Sequence, residues 1–405
     1  MTLNLNSREF QQNPYDLYTR LREQEPISSV DSLLFSAGKG LFITRYDDVL
    51  AVLKDPCFSV ERRKLGDGRD VSKAWWIPGI LRAFLNSMVM VDNPDHARLR
   101  TLVHKAFTPR MIQQMTTRIK EISYSLLDQM SEKTEVDLIA DFALPLPLTV
   151  ISEMMGVPLE DRHRFHKMMS KFLDTSTLGS TLQQFPNAIM LHRFFKKLIA
   201  LRRKDPHDDL ITALVQAEEQ SDSLSEDELI AMLLLLLLAG HETTVNLIGN
   251  GTLALLQYPD QFEKLKANPK LLETAIEEML RFTNPVHQIS PRYVIQDVEL
   301  HGQLIPKGTT VIVGIASANR DETVFQNADQ FDITRTPNPH IAFGLGIHYC
   351  LGAPLARLEG QIAFRVLLER FPNLELVASA SKLEWRGGPA LRGLNRLPLR
   401  LNSKA

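Results

Sequence analysis

Apolar side chains recur at helical spacing along most of the chain and switch to alternation in a few short stretches, which predicts a mainly α fold with a minor β region. Residues 8–25 read as an opening helix, followed by a short β segment around 40–45 and a brief helix over 47–55. Residues 59–90 show no period yet carry Trp75, Trp76, Phe84 and Met88. A long loop with large apolar side chains is usually functional, the bland reading being a satellite cluster under a loop. Helical spacing resumes at 96–110, 111–131 and 142–155. Residues 160–203 read as two more helices around breaks at Gly179 and Pro186, residues 202–209 as a charged turn, and 210–219 as a further helix.

Ser225, with Glu228 three residues on, forms a capping box that opens the most apolar part of the chain. Stretches 229–239 and 245–256 are largely apolar, with His241, Glu242, Thr243 and Thr244 between them and Asn246 and Asn250 following. Neither half reaches the roughly 20 residues that a membrane span needs, so the segment reads as a helix buried on all sides. Residues 1–8 hold no apolar run or cleavage pattern, and neither a signal nor an anchor is expected. Beyond Pro259, residues 271–282 are helical, and 290–315 alternate, with turns at His301-Gly302 and Lys307-Gly308. Residues 318–342 form a winding, proline-rich passage. Leu351, Leu355, Leu358, Ile362, Val366 and Leu367 mark a long helix over 351–371, and 384–401 reads as short strands around a Gly-Gly-Pro turn. No linker or repeat interrupts residues 1–405, so a single domain is expected.

Charge and cysteine content narrow the function. A net charge of −2 offers no basic excess to neutralise phosphates, which argues against nucleic acid as a partner. Only Cys57 and Cys350 occur, which excludes a disulfide framework and fits a reducing compartment. Cys57 reads as a small buried apolar residue. Cys350 is different. It ends the glycine-loosened loop Phe343-Gly344-Leu345-Gly346-Ile347-His348-Tyr349-Cys350 and is followed by Leu351-Gly352 at the start of the 351–371 helix. Pro354 sits in the first turn, where a missing N–H costs nothing. Free N–H groups and the helix dipole favour a thiolate at that place. Gly344 and Gly346 allow a tight loop, Gly352 lets the backbone lie against something flat, and Phe343 can shield the sulfur. A shielded thiolate suits a single metal ligand, and a haem iron is the usual occupant.

These ten residues match the haem-binding signature of cytochromes P450 at every fixed position, and from about residue 10 to 400 the chain resembles the soluble bacterial members of that family. The resemblance implies the cytochrome P450 fold, with haem b (iron protoporphyrin IX) held between a long central helix and the helix after the cysteine loop. Cys350 would be the metal ligand, with Phe343, Gly344 and Gly352 around it. Ala239-Gly240-His241-Glu242-Thr243-Thr244 is similar to the family's oxygen-activation motif. Ala239 and Gly240 would face the cofactor, while Glu242 as acid and Thr243 as alcohol would pass protons to dioxygen so that its O–O bond breaks. His96, Arg100, Arg292 and His348 match positions that pair with the haem propionates, whereas Arg98 reads as a surface charge. Glu278 and Arg281, three apart on one helix face, match a buried pair that Arg335 joins to fix the cysteine loop.

The activity implied is that of a haem-thiolate monooxygenase inserting one oxygen atom from dioxygen into an apolar small molecule, either polyketide- or macrolide-like or fatty-acyl. No flavin or nicotinamide fingerprint is present, so electrons would come from a separate ferredoxin or flavodoxin with its reductase. A cytoplasmic monomer with no nucleic-acid or membrane partner is expected. Arg100, Lys105, Arg110 and Arg357 lie on segments expected around the cysteine face, where they suit an acidic donor. Candidate pocket residues are Trp75, Trp76, Met88, Val89, Leu235, Ala239, Val286, His287, Ile289 and Leu391. Two alternatives are a peroxide-driven peroxygenase and a non-catalytic haem sensor or carrier, neither of which needs the Glu242–Thr243 pair.

Overall fold

The computed structural model describes residues 3–5, 7–32, 38–66, 85–173, 180–220, 225–377, 379–386, 388 and 390–402. The chain forms two compact units. One is assembled from Met1–Gly66, Thr116–Leu146 and Glu242–Ala405, the other from Asp67–Met115 and Pro147–His241.

Every described strand belongs to the first unit. Its largest sheet runs Ile27–Ser32, Gly38–Ile43, Thr310–Val313, Arg292–Val294, Phe58–Ser59 in spatial order. Gly38–Ile43 pairs in parallel with Thr310–Val313, and the other neighbours are antiparallel. Ile43, Val294, Val311 and Val313 are fully buried and pack with Val49 and Val52 of the helix Tyr46–Lys54, as β-branched residues do on a pleated face. The hairpin joining Val298–Leu300 to Gln303–Ile305 turns at His301 and Gly302, whose φ values are 52° and 72°, as a type I′ turn requires. A three-stranded sheet joins the expected tail strand Pro398–Asn402 to Glu135–Asp137 and Asn373–Leu376, which were not expected because strands this short show too few alternations to read. The opening helix is two helices, Arg8–Gln12 and Tyr15–Gln24, because Pro14 has no N–H with which to continue the ladder. Cys57 is half-buried rather than buried, and Gln296 donates to its Sγ at 2.9 Å.

The capping box forms as read: the Ser225 N–H donates to Glu228 Oε2 at 2.8 Å, and the Glu228 N–H donates to Ser225 Oγ at 3.2 Å. It opens one continuous helix, Glu226–Gln257, which by length and composition alone could cross a membrane. Asn250 and Thr252 in it are nevertheless buried and bonded within protein. Asn250 donates to the Arg392 carbonyl at 2.9 Å, and the Thr252 hydroxyl to that of Ile248 at 2.8 Å. Glycines let neighbouring helices approach it. A Cβ at Gly251 would lie 2.8 Å from both Met279 Sδ of Leu272–Thr283 and Phe364 Cζ of Ala353–Arg370.

The second unit is helical: Asp95–Ala106, Leu159–Leu173, Ser180–Lys204, Leu210–Gln220 and the first half of the long helix. Ser180–Lys204 continues through Pro186, against the break expected there. The proline costs roughly 3 kcal/mol, which the burial of Leu191, Phe195, Leu198 and Ile199 offsets. The break at Gly179 lies outside the described residues. The charged turn is exposed over 203–208 and is anchored at both ends by buried groups. Arg202 and Asp209 are buried as an ion pair, Arg202 donates to the Gly156 carbonyl at 2.6 Å, and Asp209 Oδ1 accepts the Thr212 N–H at 2.8 Å at the start of Leu210–Gln220. Arg98 is not a lone surface charge, since it pairs with Glu228 at 2.7 Å.

Candidate functional site

In the first unit the cysteine loop is held by its own backbone. Gly344 and Gly346 adopt φ of 70° and 73°, values that a side chain disfavours. A Cβ at Gly346 would also lie 2.9 Å from the Leu53 carbonyl oxygen, so the loop touches the Tyr46–Lys54 helix at that point. The Cys350 N–H donates to the Phe343 carbonyl at 2.9 Å, and the Tyr349 N–H to that of Gly346 at 3.1 Å. Helix Ala353–Arg370 begins directly after, with Gly352 as N-cap and a proline in the first turn. Cys350 is exposed.

Glu278 and Arg281 are both fully buried. Arg281 bonds bidentately to Glu278 at 2.7 and 2.8 Å and donates to the carbonyls of Asn319, Ala328 and Gln330. Glu278 also accepts from Arg335 Nε at 3.1 Å, from the Asp332 N–H at 3.0 Å and from Asn338 at 3.2 Å. The carboxylate therefore ties the 319–338 passage to the helix, upstream of the cysteine loop.

Glu242 and Thr243 are half-buried, while Thr244 is buried and donates to Glu359 Oε2 at 3.1 Å. The sequence reading missed Glu359. A charge in the apolar stripe of Leu355 and Ile362 was the available signal, since an acid is almost never fully buried without a reason. Burial pushes the Glu359 carboxyl up to about 8, against a smaller opposing effect of the Thr244 hydrogen bond. Between the ordinary value of 4.5 and about 8, the unfolded chain has released this proton and the folded chain keeps it. Stability therefore falls as pH rises through that window, by up to about 1.4 kcal/mol per pH unit, and levels off above it. Glu359→Gln is expected to flatten that part of the pH dependence of the urea midpoint. Parallel curves for the two proteins would mean that Glu359 is ionised in the fold.

Arg292 is buried, with Nη1 donating to the Ser290 carbonyl at 2.9 Å, and His348 is half-buried. In the second unit His96 is buried and Arg100 half-buried, four residues apart on one face of Asp95–Ala106. Ala239 is exposed and Gly240 half-buried within an otherwise buried stretch of the long helix. A Cβ at Gly240 would meet only Ile151, at 3.7 Å or more, so the protein's own packing does not require glycine there. Within the first unit, an exposed thiol at the head of a helix, a buried arginine and a histidine carry the donor chemistry that an iron porphyrin with carboxylates needs. The residues fit that group.

The remaining expectations divide. Trp75 and Trp76 lie outside the described residues. Met88 and Leu235 are buried and Val89 half-buried. Val286 and Leu391 are half-buried and form an isolated antiparallel bridge, and Ile289 is half-buried against the sheet core. His287 is buried. Its Nδ1 lies 3.2 Å from the Tyr18 hydroxyl and its ring packs 5.8 Å from that of Tyr15. Burial, then Arg392 and Arg320, hold its pKa well below the usual range. With Leu391 it lines a small cavity that Phe10, Pro14 and Arg392 also border. Arg357 is partly exposed and pairs with Glu277 at 2.7 Å.

A family model described as "Cytochrome P450" matches residues 41–385. The chain is 44% identical over 403 residues to "Polyketide biosynthesis cytochrome P450 PksS" of Bacillus subtilis, covering 98% of each chain. It is 39% identical to "Cytochrome P450 monooxygenase PikC" of Streptomyces venezuelae, covering 97% of this chain and 92% of that one. The solved structure of PksS superposes with a TM-score of 0.92 over 99% of this chain and all of that chain. A structure of P450BioI in complex with a hexadec-9Z-enoic acid-ligated acyl carrier protein reaches 0.87 at 38% identity, over 97% of this chain and 100% of that one.

Proposed function

This chain belongs to the cytochrome P450 family and is a haem-binding monooxygenase, and we propose that residues 1–405 act as one haem domain that oxidises a polyketide- or macrolide-like or fatty-acyl molecule. Relatives named for polyketide biosynthesis and for mycinamicin hydroxylation, and the acyl-chain complex of P450BioI, support those substrate classes. A peroxygenase or a haem carrier is less well supported, because neither needs Glu242 and Thr243. The observation that carries the reading is the exposed Cys350 thiol at the head of its helix, on a loop set by the buried Glu278 network.

Haem supplies an iron at which dioxygen is activated by two electrons. Around it, Cys350 would provide the thiolate, and Arg100, Arg292, His96 and His348 would bind the carboxylates. Glu242 would bring protons in, and the Thr243 hydroxyl would hold one at the oxygen that leaves as water. The electrons are proposed to come from a separate ferredoxin or flavodoxin in the cytoplasm, to a monomer.

The test is Thr243→Ala. It is expected to keep haem content and substrate-induced spectral shifts and to continue consuming reductant, while most electrons emerge as hydrogen peroxide. A tenfold fall in product yield would correspond to roughly 1.4 kcal/mol in the partition between the two fates. Glu242→Gln should instead slow the whole cycle. If Thr243→Ala stays fully coupled, the proton-holding role belongs elsewhere, with Thr244 the first to examine. Spectral titration with polyketides, macrolides, steroids and fatty acids would choose among the substrate classes.

A further inference from the structure

We propose that Glu277 and Arg357 form a clamp on Phe343 and Tyr349, the two aromatic residues of the cysteine loop, and so set how strongly the Cys350 sulfur donates to iron. The inference rests on the reading of Cys350 as the iron ligand and concerns residues that reading does not use.

Glu277 neighbours Glu278 on the Leu272–Thr283 helix but faces the other way, onto the loop. Both of its oxygens are engaged. Arg357 Nε donates to Oε1 at 2.7 Å and Nη2 to Oε2 at 2.8 Å, a bidentate pair. His340 Nε2 donates to Oε2 at 2.9 Å, with the tautomer set by the Ala342 N–H, which donates to His340 Nδ1 at 3.2 Å. Burial would raise the Glu277 carboxyl, yet these partners outweigh it and hold it at about 2, so the anchor stays ionised.

The guanidinium so fixed lies 4.5 Å from the centre of the Phe343 ring, and its Nη1 is 3.4 Å from the Tyr349 hydroxyl. The His340 ring flanks Phe343 at 6.3 Å and the Tyr349 ring at 6.4 Å. Phe343 is the residue whose carbonyl accepts the Cys350 N–H at 2.9 Å. The connection is thus short: carboxylate to guanidinium, guanidinium to ring, and the residue bearing that ring to the cysteine backbone. Releasing the ring lets the Phe343 carbonyl drift and frees the Cys350 N–H to turn toward the sulfur. Hydrogen bonds to a ligand sulfur drain its electron density, which raises the reduction potential of the metal it holds.

The experiment measures the ferric/ferrous potential and the carbon monoxide difference spectrum of holoprotein carrying Glu277→Gln, Arg357→Gln, both together, or Arg357→Lys. Both single variants are expected to shift the potential positively by a similar amount and to gain a neutral-thiol band at the expense of the thiolate band. The double variant should shift no further, because one unit has been broken once. Arg357→Lys keeps the charge but not the fork and should recover part of the shift. If haem retention fails in these variants, His340→Gln, which loosens one arm, should give a smaller shift of the same sign. Wild-type potentials and spectra in haem-replete variants would overturn the clamp. A raised apparent KM for the electron donor in Arg357→Gln at unchanged potential would overturn it too, since it would make Arg357 a docking residue. Lack of a thiolate band in the unmodified protein would instead refute the Cys350 reading.

Discussion

Cys350→His is expected to abolish monooxygenase activity and the strongly red-shifted Soret band of the reduced, carbon monoxide-bound protein. The band reports a thiolate, and histidine offers a neutral imidazole that does not push electron density toward dioxygen cleavage. Haem binding itself can survive, because the arginines and histidines proposed for its carboxylates are untouched. The only other sulfur able to form a thiolate is Cys57, which is half-buried and accepts a hydrogen bond from Gln296. Cys57→Ser should leave the band unchanged. Persistence of the band in Cys350→His, and its loss in the double variant, would transfer the ligand role to Cys57.

The second large effect lies in the buried acid–arginine network. Glu278→Ala removes the carboxylate that holds Arg281 and Arg335 and strands a fully buried guanidinium. Breaking a buried pair in this way costs roughly 3–5 kcal/mol, and haem retention should fall with it because the 319–338 passage loses its anchor. Arg281→Lys should be nearly as damaging, since a single ammonium cannot reach Glu278 and three carbonyls in the fixed geometry of the fork. In Glu278→Gln/Arg281→Met the losses should sum to less than those of the single variants, since the two residues act on each other. Denaturant unfolding of apoprotein and haem content of purified protein are the readouts. A loss below about 1 kcal/mol for Glu278→Ala would mean that the network is not structural.

The features that the sequence disclosed are those whose partners are near in the chain or whose pattern is rigid. Ser225 and Glu228 were legible as a cap because the bond joins neighbours. Glu278 and Arg281 shared a helix face by spacing alone, but their burial and the third partner, Arg335, came only through the family resemblance. Glu359 with Thr244, Glu277 with Arg357 and His340, and Arg202 with Gly156 were missed. Each joins segments whose approach is decided by helix packing and leaves no periodic trace. Pro186 misled in the opposite direction, since a local penalty was overruled by burial along the rest of its helix.

The parallel pairing of Gly38–Ile43 with Thr310–Val313 has a consequence for how the protein is made. The first strand leaves the ribosome about 270 residues before its partner, which at ordinary synthesis rates is a wait of roughly 15–50 s. Throughout that interval Phe42 and Ile43 sit on an unpaired edge, the kind that recruits stray strands from other chains. The sheet cannot close on the nascent chain until Thr310–Val313 has been made. Closure of this sheet is therefore a late step, and the yield in a heterologous host is expected to rise with holdase chaperones and slow expression.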